Sequence, residues 1–347
     1  MQKIGIIGAS GFIGSRTTEV FCLENIAEVR AIVRSNSSLS RLTHLSLESR
    51  IADALNVTSL ETALAGCDIA IYCAAGSPWF LKQTAISTYK AAEKAGVSRL
   101  VYLSTASVHG QAPPVGTDEN SPLSDRQFLA YNNAKVWVEQ KLLQLSQKST
   151  TEIVILRPGI VVGPGSSWIE GFANSLMNGT AYLVNQGKGI CNSIYIDNLV
   201  HAIRLSLTAP NVNQQVFLVG DAEKVTWADL YRPIAKALGF DLSQLRNIDC
   251  PEFTPNWKER LREGLKNANL LGGALYFLAS QRKKQVPLTP HQPPLNQEMA
   301  LLYQCQYKLP HQKAEEMLNY SPIVSFEQAC DRTVDWLASQ GYPVASS

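Results

Sequence analysis

Apolar positions along the first half of the chain follow two rhythms in turn. Short runs, "IGII", "VRAIV", "IAIYCAA", "RLVYLS" and "EIVILRP", recur between Lys3 and about Arg157 and read as strands buried on both faces. Each is followed by a stretch whose apolar residues repeat at helical spacing. Strand and helix in alternation predict an α/β fold with a doubly wound parallel sheet.

Beyond Gly163 the alternation loosens. "SSWIEGFANSLMNG" and "VTWADLYRPIAKALG" read as helices, "QQVFLVG" as a strand returning to the sheet, and "SPIVSFEQACDRTVDWLASQG" as a terminal helix. From about Pro251 to Pro310 the chain is rich in Pro, Lys and Arg and carries no strand signal. The expected organisation is a dinucleotide-binding domain over 1–165, with 190–220 returning to it. Residues 166–189 and 221–347 would then form a smaller, mainly helical substrate lobe. Ligands in such folds bind at the carboxyl ends of the strands.

One helix raises a local problem. In "LAYNNAKVWVEQK", residues 129–141, Ala134, Val138, Leu142 and Leu145 lie on one apolar stripe, and Tyr131 and Lys135 fall on it too. Glu139 and Gln140 are expected on the opposite, charged side. A lysine aimed at a packed interior is costly unless something there needs its charge.

Composition narrows the classes without choosing one. The 347 residues, 45% hydrophobic and 17% charged, are ordinary globular composition. A net charge of +2 gives no field for nucleic acid, and none is expected as a partner. Seven cysteines never pair as CxxC, which argues for reduced thiols in a cytosol and against a zinc site. "MQKIGIIGAS" has no signal-peptide run, so a cytoplasmic location is expected.

"IGIIGASGFIGSR" supplies Gly8, Gly11 and Gly14 between the first strand and the first helix, with Ser10, Phe12 and Ile13 among them. A dinucleotide pyrophosphate needs a tight turn, bare backbone, and a helix N-terminus aimed at its charge. The GxxGxxG spacing, "LSTASVHG", "YNNAK" as YxxxK, "RPGIVVGPG" and "IYIDNLVHAI" occur in that order. Together they resemble the extended branch of the short-chain dehydrogenase/reductase superfamily, from residue 1 to about 340, with the least likeness over 251–310. The resemblance implies a Rossmann-type fold and an NAD(P)-dependent oxidoreductase.

An NAD-preferring site usually carries Asp or Glu at the end of the second strand, to hold the ribose hydroxyl. Here Arg34 and Ser35 stand there, with Arg41 nearby, and a guanidinium suits a 2′-phosphate. NADP(H) is therefore the expected cofactor, with NAD(H) as the other choice. The resemblance places Asp53 and Ala54 at the adenine, and Ala74, Ala75 and Gly76 where backbone lies close to the dinucleotide.

The resemblance also implies that Thr105 is the catalytic hydroxyl and that His109 replaces the usual tyrosine. Tyr131 would be the acid in ketone reduction, or the base as phenolate in alcohol oxidation. Lys135 would supply the cation that lowers the phenol and would hold the nicotinamide ribose. Dehydratases of this branch carry Asp–Glu directly after the threonine; Ala106–Ser107 here argues against dehydration. Ile160 takes the place of an asparagine common in nucleotide-sugar enzymes. Pro158, in the "RP" form, is closer to 3β-hydroxysteroid dehydrogenases and dihydroflavonol reductases.

The expectation is oxidoreduction of a secondary alcohol or ketone on a small, fairly apolar substrate. The alternatives are a nucleotide-sugar epimerase with retained NAD, and a dinucleotide sensor that catalyses nothing. Trp168 and Trp79 are read as cleft lining or aromatic core. The segment over 257–285 is read as a packed helix, a lid or a peripheral membrane contact, and the oligomeric state as monomer or homodimer, with Trp137 fitting either an interface or the core.

Overall fold

Seven parallel strands form one sheet in the order β10-β6-β5-β4-β1-β2-β3 in the computed structural model, which describes residues 1–250, 295 and 297–345. The strands are β1 (Lys3–Ile7), β2 (Glu28–Val33), β3 (Glu48–Ile51), β4 (Ile69–Tyr72), β5 (Arg99–Leu103), β6 (Glu152–Pro158) and β10 (Gln215–Val219). Side chains alternate across the pleat and so divide the core into two layers. Ile4 and Ile6 of β1, Val29 and Ala31 of β2, and Val101 of β5 share one face with Phe217 of β10. Ile32, Ala70, Tyr72, Leu100 and Ile155 lie on the other.

Helices α1 (Phe12–Leu23) and α6 (Ile196–Thr208) cover the first face, joined by α9 (Gln312–Leu318). Helices α2 (Val57–Leu64), α3 (Pro78–Lys94) and α4 (Ala130–Ser146) cover the second. The sequence rhythm of buried runs and helical stretches is thus realised as a doubly wound α/β sheet. Strand order reverses between β1 and β4, and the crevice there opens at their carboxyl ends.

Outside the sheet, β7 (Ile160–Val162) pairs with β9 (Ser193–Tyr195), and β8 (Tyr182–Val184) with β11 (Arg246–Ile248), both in parallel. Helices α5 (Ser167–Met177), α7 (Trp227–Ala237), α8 (Gln297–Tyr303) and α10 (Phe326–Ser339) complete the described elements. Their shared core is aromatic: Phe172 and Tyr231 stack at 3.8 Å, and Trp227 packs against Tyr303 at 4.7 Å. Thr226 and Asp229 form a capping box at the start of α7, and Ser325 and Gln328 do so at α10.

The segment over 257–285 lies outside the described residues. Among the described residues no helix is long and apolar enough to cross a membrane.

Candidate active site

The glycine loop is tight for reasons its geometry makes plain. Gly8 has φ +83°, and a Cβ there would stand 2.8 Å from the backbone nitrogen of Ala74 at the end of β4. A Cβ on Gly14 would fall 2.2 Å from the Gly8 carbonyl oxygen, so α1 lies directly on the turn that precedes it. Gly11 caps α1 without a side-chain hydrogen bond, and no acidic residue occupies the first turn. An uncapped helix N-terminus beside bare backbone is the cradle a pyrophosphate requires.

Around that turn the other cofactor candidates are spread along the carboxyl edge of the sheet. Ser10, Phe12 and Ile13 are half-buried, Ala74 is half-buried, and Ala75 and Gly76 are exposed. Arg34 is exposed just past β2, as is Arg41 on the turn beyond it. The hydroxyl of Ser35 lies 2.9 Å from that of Ser37 and 3.0 Å from that of Ser38. Asp53, exposed past β3, accepts from the Leu55 amide at 3.0 Å, with Ala54 half-buried beside it.

A cleft of about 460 Å³ opens where β5 and β6 end. Thr105, Tyr131 and Pro158 line it together with Phe12 and Ile13 from the start of α1. Its apolar walls are Ile160, Trp168, Ile190, Leu302 and Leu309; Ser107, Gln111, Asn192 and Glu298 are polar. Thr105 caps the short 3-10 turn Ala106–His109, its oxygen accepting from the Ser107 amide and lying 2.7 Å from the Ser107 hydroxyl. Trp168 serves both earlier readings: it lines the cleft and tilts against Trp227 at 5.7 Å. Trp137 packs partly against the core, with the Lys82 ammonium 5.3 Å above its ring.

Tyr131 is 39% exposed and opens into this cleft. The surrounding protein raises its phenol to about 12, and the Glu298 carboxylate adds to that rise. Lys135, one turn on, is fully buried beneath it. Its ammonium donates to the Leu103 carbonyl at 2.7 Å and the Tyr102 hydroxyl at 3.2 Å, and sits 4.8 Å from the Tyr102 ring centre. Burial lowers it to about 8, against the upward pull of Glu139 and Cys73. None of its hydrogen bonds goes to Tyr131, so the cation expected on the phenol is engaged with β5 in this structure.

Glu139 corrects the helical reading. It was expected on the charged outer side of α4 with Gln140; Gln140 is exposed, but Glu139 is 1% exposed. The cause is Arg157, an arginine in the buried part of strand β6, whose Nη2 meets Glu139 Oε2 at 2.6 Å. Ser104 also donates to Glu139 Oε1. Arg157 Nη1 lies 3.0 Å from His109 Nε2, and burial followed by the Arg157 charge pushes the imidazole down to about 4. His109 is thus a neutral partner of the arginine behind the cleft.

Sequence reasoning missed Gln111 and Glu298, which no motif marks. It also missed the Glu139–Arg157 pair, although a charged residue in a buried strand run was a signal that a counter-charge must exist.

Residues 8–167 match the NAD(P)H-binding family. A UDP-glucose 4-epimerase of Vibrio cholerae is 28% identical over 265 residues, 68% of this chain and 76% of the relative. A 3-beta-hydroxysteroid dehydrogenase of Mycolicibacterium neoaurum is 27% identical over 272 residues, 71% of this chain and 73% of the relative. The crystal structure of DesIV, a dTDP-glucose 4,6-dehydratase of Streptomyces venezuelae with NAD and TYD bound, superposes with TM-score 0.73 at 20% identity, covering 97% of each chain. With the glycine cradle and the cleft at the strand ends, these give the chain an NAD(P)H-binding domain over residues 8–167 and make it similar to the NAD(P)-dependent enzymes of the extended short-chain dehydrogenase/reductase superfamily.

Proposed function

We propose that the protein is an NADP(H)-dependent oxidoreductase that interconverts a secondary alcohol and a ketone on a small, fairly apolar substrate. The observation that carries this reading is the shared cleft, where Thr105 and Tyr131 face the same space as the glycine-loop helix, between walls of Ile160, Trp168, Leu302 and Leu309. Gly8, Ser10, Gly11, Phe12, Ile13 and Gly14 would hold the pyrophosphate; Asp53 and Ala54 would border the adenine; Ala74, Ala75, Gly76 and Pro158 would flank the rest. Arg34 and the serine hydroxyls that follow it would take a 2′-phosphate, and no carboxylate stands at that point to repel one.

When bound, the nicotinamide supplies or accepts the hydride. Thr105 donates to the substrate oxygen and fixes its position. Tyr131 gives that oxygen a proton in reduction and takes it back in oxidation. Its raised phenol stays protonated at neutral pH, the state the donor role requires. Lys135 holds the nicotinamide ribose, and Glu139, a turn further on, keeps its ammonium charged despite burial.

A second reading is a nucleotide-sugar epimerase that recycles its own hydride, favoured by the 28% identical UDP-glucose 4-epimerase. Ile160, apolar at the cleft wall, speaks against a diphosphate there.

The test is to release and identify any nucleotide from fresh protein, titrate NADPH and NADH by fluorescence, and screen hydrophobic ketones. The oxidoreductase should bind NADPH the more tightly and oxidise it with a ketone. Tyr131→Phe should keep cofactor binding while losing about 10²–10⁴-fold in turnover. Tightly retained NAD⁺ would point to the epimerase. Tight NADPH binding with no turnover would point to a sensor.

A further inference from the structure

Gln111 and Glu298 occupy one part of the cleft that the chemistry above does not use. Gln111 Nε2 donates to Glu298 Oε1 at 3.1 Å. That bond orients the amide, because a carboxylate accepts only from its nitrogen side. Gln111 Oε1 is then a buried acceptor with no hydrogen-bond partner among the described residues. Native proteins keep few such atoms, since each forfeits its hydration for nothing. Glu298 Oε2 also makes no hydrogen bond or ion pair among the described residues. Gln111 and Glu298 therefore bring two acceptor oxygens to the lining of the space that Tyr131 and Thr105 share, the charged one on Glu298 and the other, on Gln111, closed off from solvent in this structure.

The rest of the lining sharpens this. Glu298 is the one charged side chain among the described residues around the cleft, and none of them is Lys or Arg. Burial raises the Glu298 carboxyl above its usual value, and the Gln111 bond opposes that only in part. An anionic group entering here would meet a like charge in a low-dielectric space. A hydroxyl or ammonium would find both acceptors waiting.

We infer that Glu298 and Gln111 select the substrate, which carries a hydrogen-bond donor beside the reacting carbinol on an otherwise apolar body and no anionic group at that end. This deepens the oxidoreductase reading and rests on it for the position of the reacting carbon.

The test uses three ring compounds: cyclohexane-1,2-diol, cyclohexanol and 2-hydroxycyclohexanecarboxylate. Their binding to the NADP⁺-loaded protein would be measured by calorimetry, and their oxidation separately by NADPH absorbance. The diol should bind at least about tenfold more tightly than cyclohexanol, and the carboxylate should bind weakest. Glu298→Gln should narrow the gap between diol and carboxylate about tenfold or more, with an unchanged melting temperature. It should also move the rise of alcohol oxidation to lower pH, because a carboxylate that opposes the Tyr131 phenolate is gone; a merely structural residue would leave that profile in place. Gln111→Leu should cut the advantage of the diol over cyclohexanol. A carboxylate that binds as tightly as the diol, a gap that Glu298→Gln leaves intact, or no binding of any of the three overturns the inference. Correct binding order without oxidation would overturn the oxidoreductase reading and leave the acceptor pair standing.

Discussion

Arg157→Met should destabilise the protein by about 3–5 kcal/mol, because it strands the Glu139 carboxylate in the core. The side chains of Arg157 and Glu139 are only 4% and 1% exposed, so neither charge can recover its hydration without local unfolding. Arg157 gives Glu139 three hydrogen bonds, at 2.6, 3.1 and 3.2 Å. After the substitution only the Ser104 hydroxyl still donates to that carboxylate. The attraction within the pair and the cost of desolvating both members largely cancel, so removing both charges should cost far less than removing one. In Glu139→Leu/Arg157→Met the residual loss comes from Ser104, His109 and the Glu119 carbonyl, each left short of a partner. Each costs about 1–3 kcal/mol where it stays dry, and His109 and the Glu119 carbonyl lose their partner in Arg157→Met as well, so the comparison isolates the Glu139 charge. Urea unfolding of the wild type, both single variants and the double variant gives the comparison as midpoints at constant slope. A double variant no more stable than Arg157→Met would refute the argument that the uncompensated charge, and not the lost packing, sets the cost.

Three further outcomes can be checked directly. Gly14→Ala should weaken NADPH binding and lower stability by about 1–3 kcal/mol, since its methyl group would meet the Gly8 carbonyl oxygen at 2.2 Å and backbone cannot give way as a side chain does; a fluorescence titration and a melting curve measure both. His109 is held at about 4 against an ordinary 6.5, so between these values the unfolded chain binds a proton that the folded one refuses. Stability should therefore fall as pH drops through that window, by up to about 3 kcal/mol from this group, and His109→Gln should flatten that part of the stability–pH curve. Arg34→Asp should invert the preference between NADPH and NADH by about tenfold or more, read from the two dissociation constants; an unchanged ratio would remove Arg34 from the 2′-phosphate site.

The parts of the fold that could be read from sequence are those whose signal is local. Buried strands such as "IAIYCAA" announce themselves because both faces are covered, and the glycine loop does so because its turn needs residues without a Cβ. Strand β3 is different: "ESRI" lies at the sheet edge, largely exposed, and its Glu48 serves as counter-ion to Lys3 and Arg30. The pairs β7–β9 and β8–β11 are three residues per strand and arise from contacts between distant segments, which no periodicity records. Within the site, Thr105 and Tyr131 were legible through their motifs, and the cleft brings them together. Glu139 was misplaced because helical geometry gives a side chain's direction and not what awaits it; here it was an arginine from a strand 18 residues later. Glu298 reaches the cleft from a helix that follows a stretch with no recognisable pattern, so its place depends wholly on tertiary structure.

The two faces of the sheet are completed at very different points along the chain. Leu60, Ala85, Tyr89, Val138 and Leu142 close one of them, all before β6 begins. The other, bearing Ile4, Ile6, Val29 and Val101, waits for Leu199 and Ile203 and then for Ala314, Leu318 and Tyr320, whose hydroxyl finally reaches the Gly220 carbonyl at 3.0 Å. On a ribosome adding about 5–20 residues per second, the first strands would emerge with one apolar face covered only by α1 for roughly ten to forty seconds. The emerging polypeptide is then a half-finished laminate whose open side is the surface most apt to stick to its neighbours until the last turn of α9 arrives.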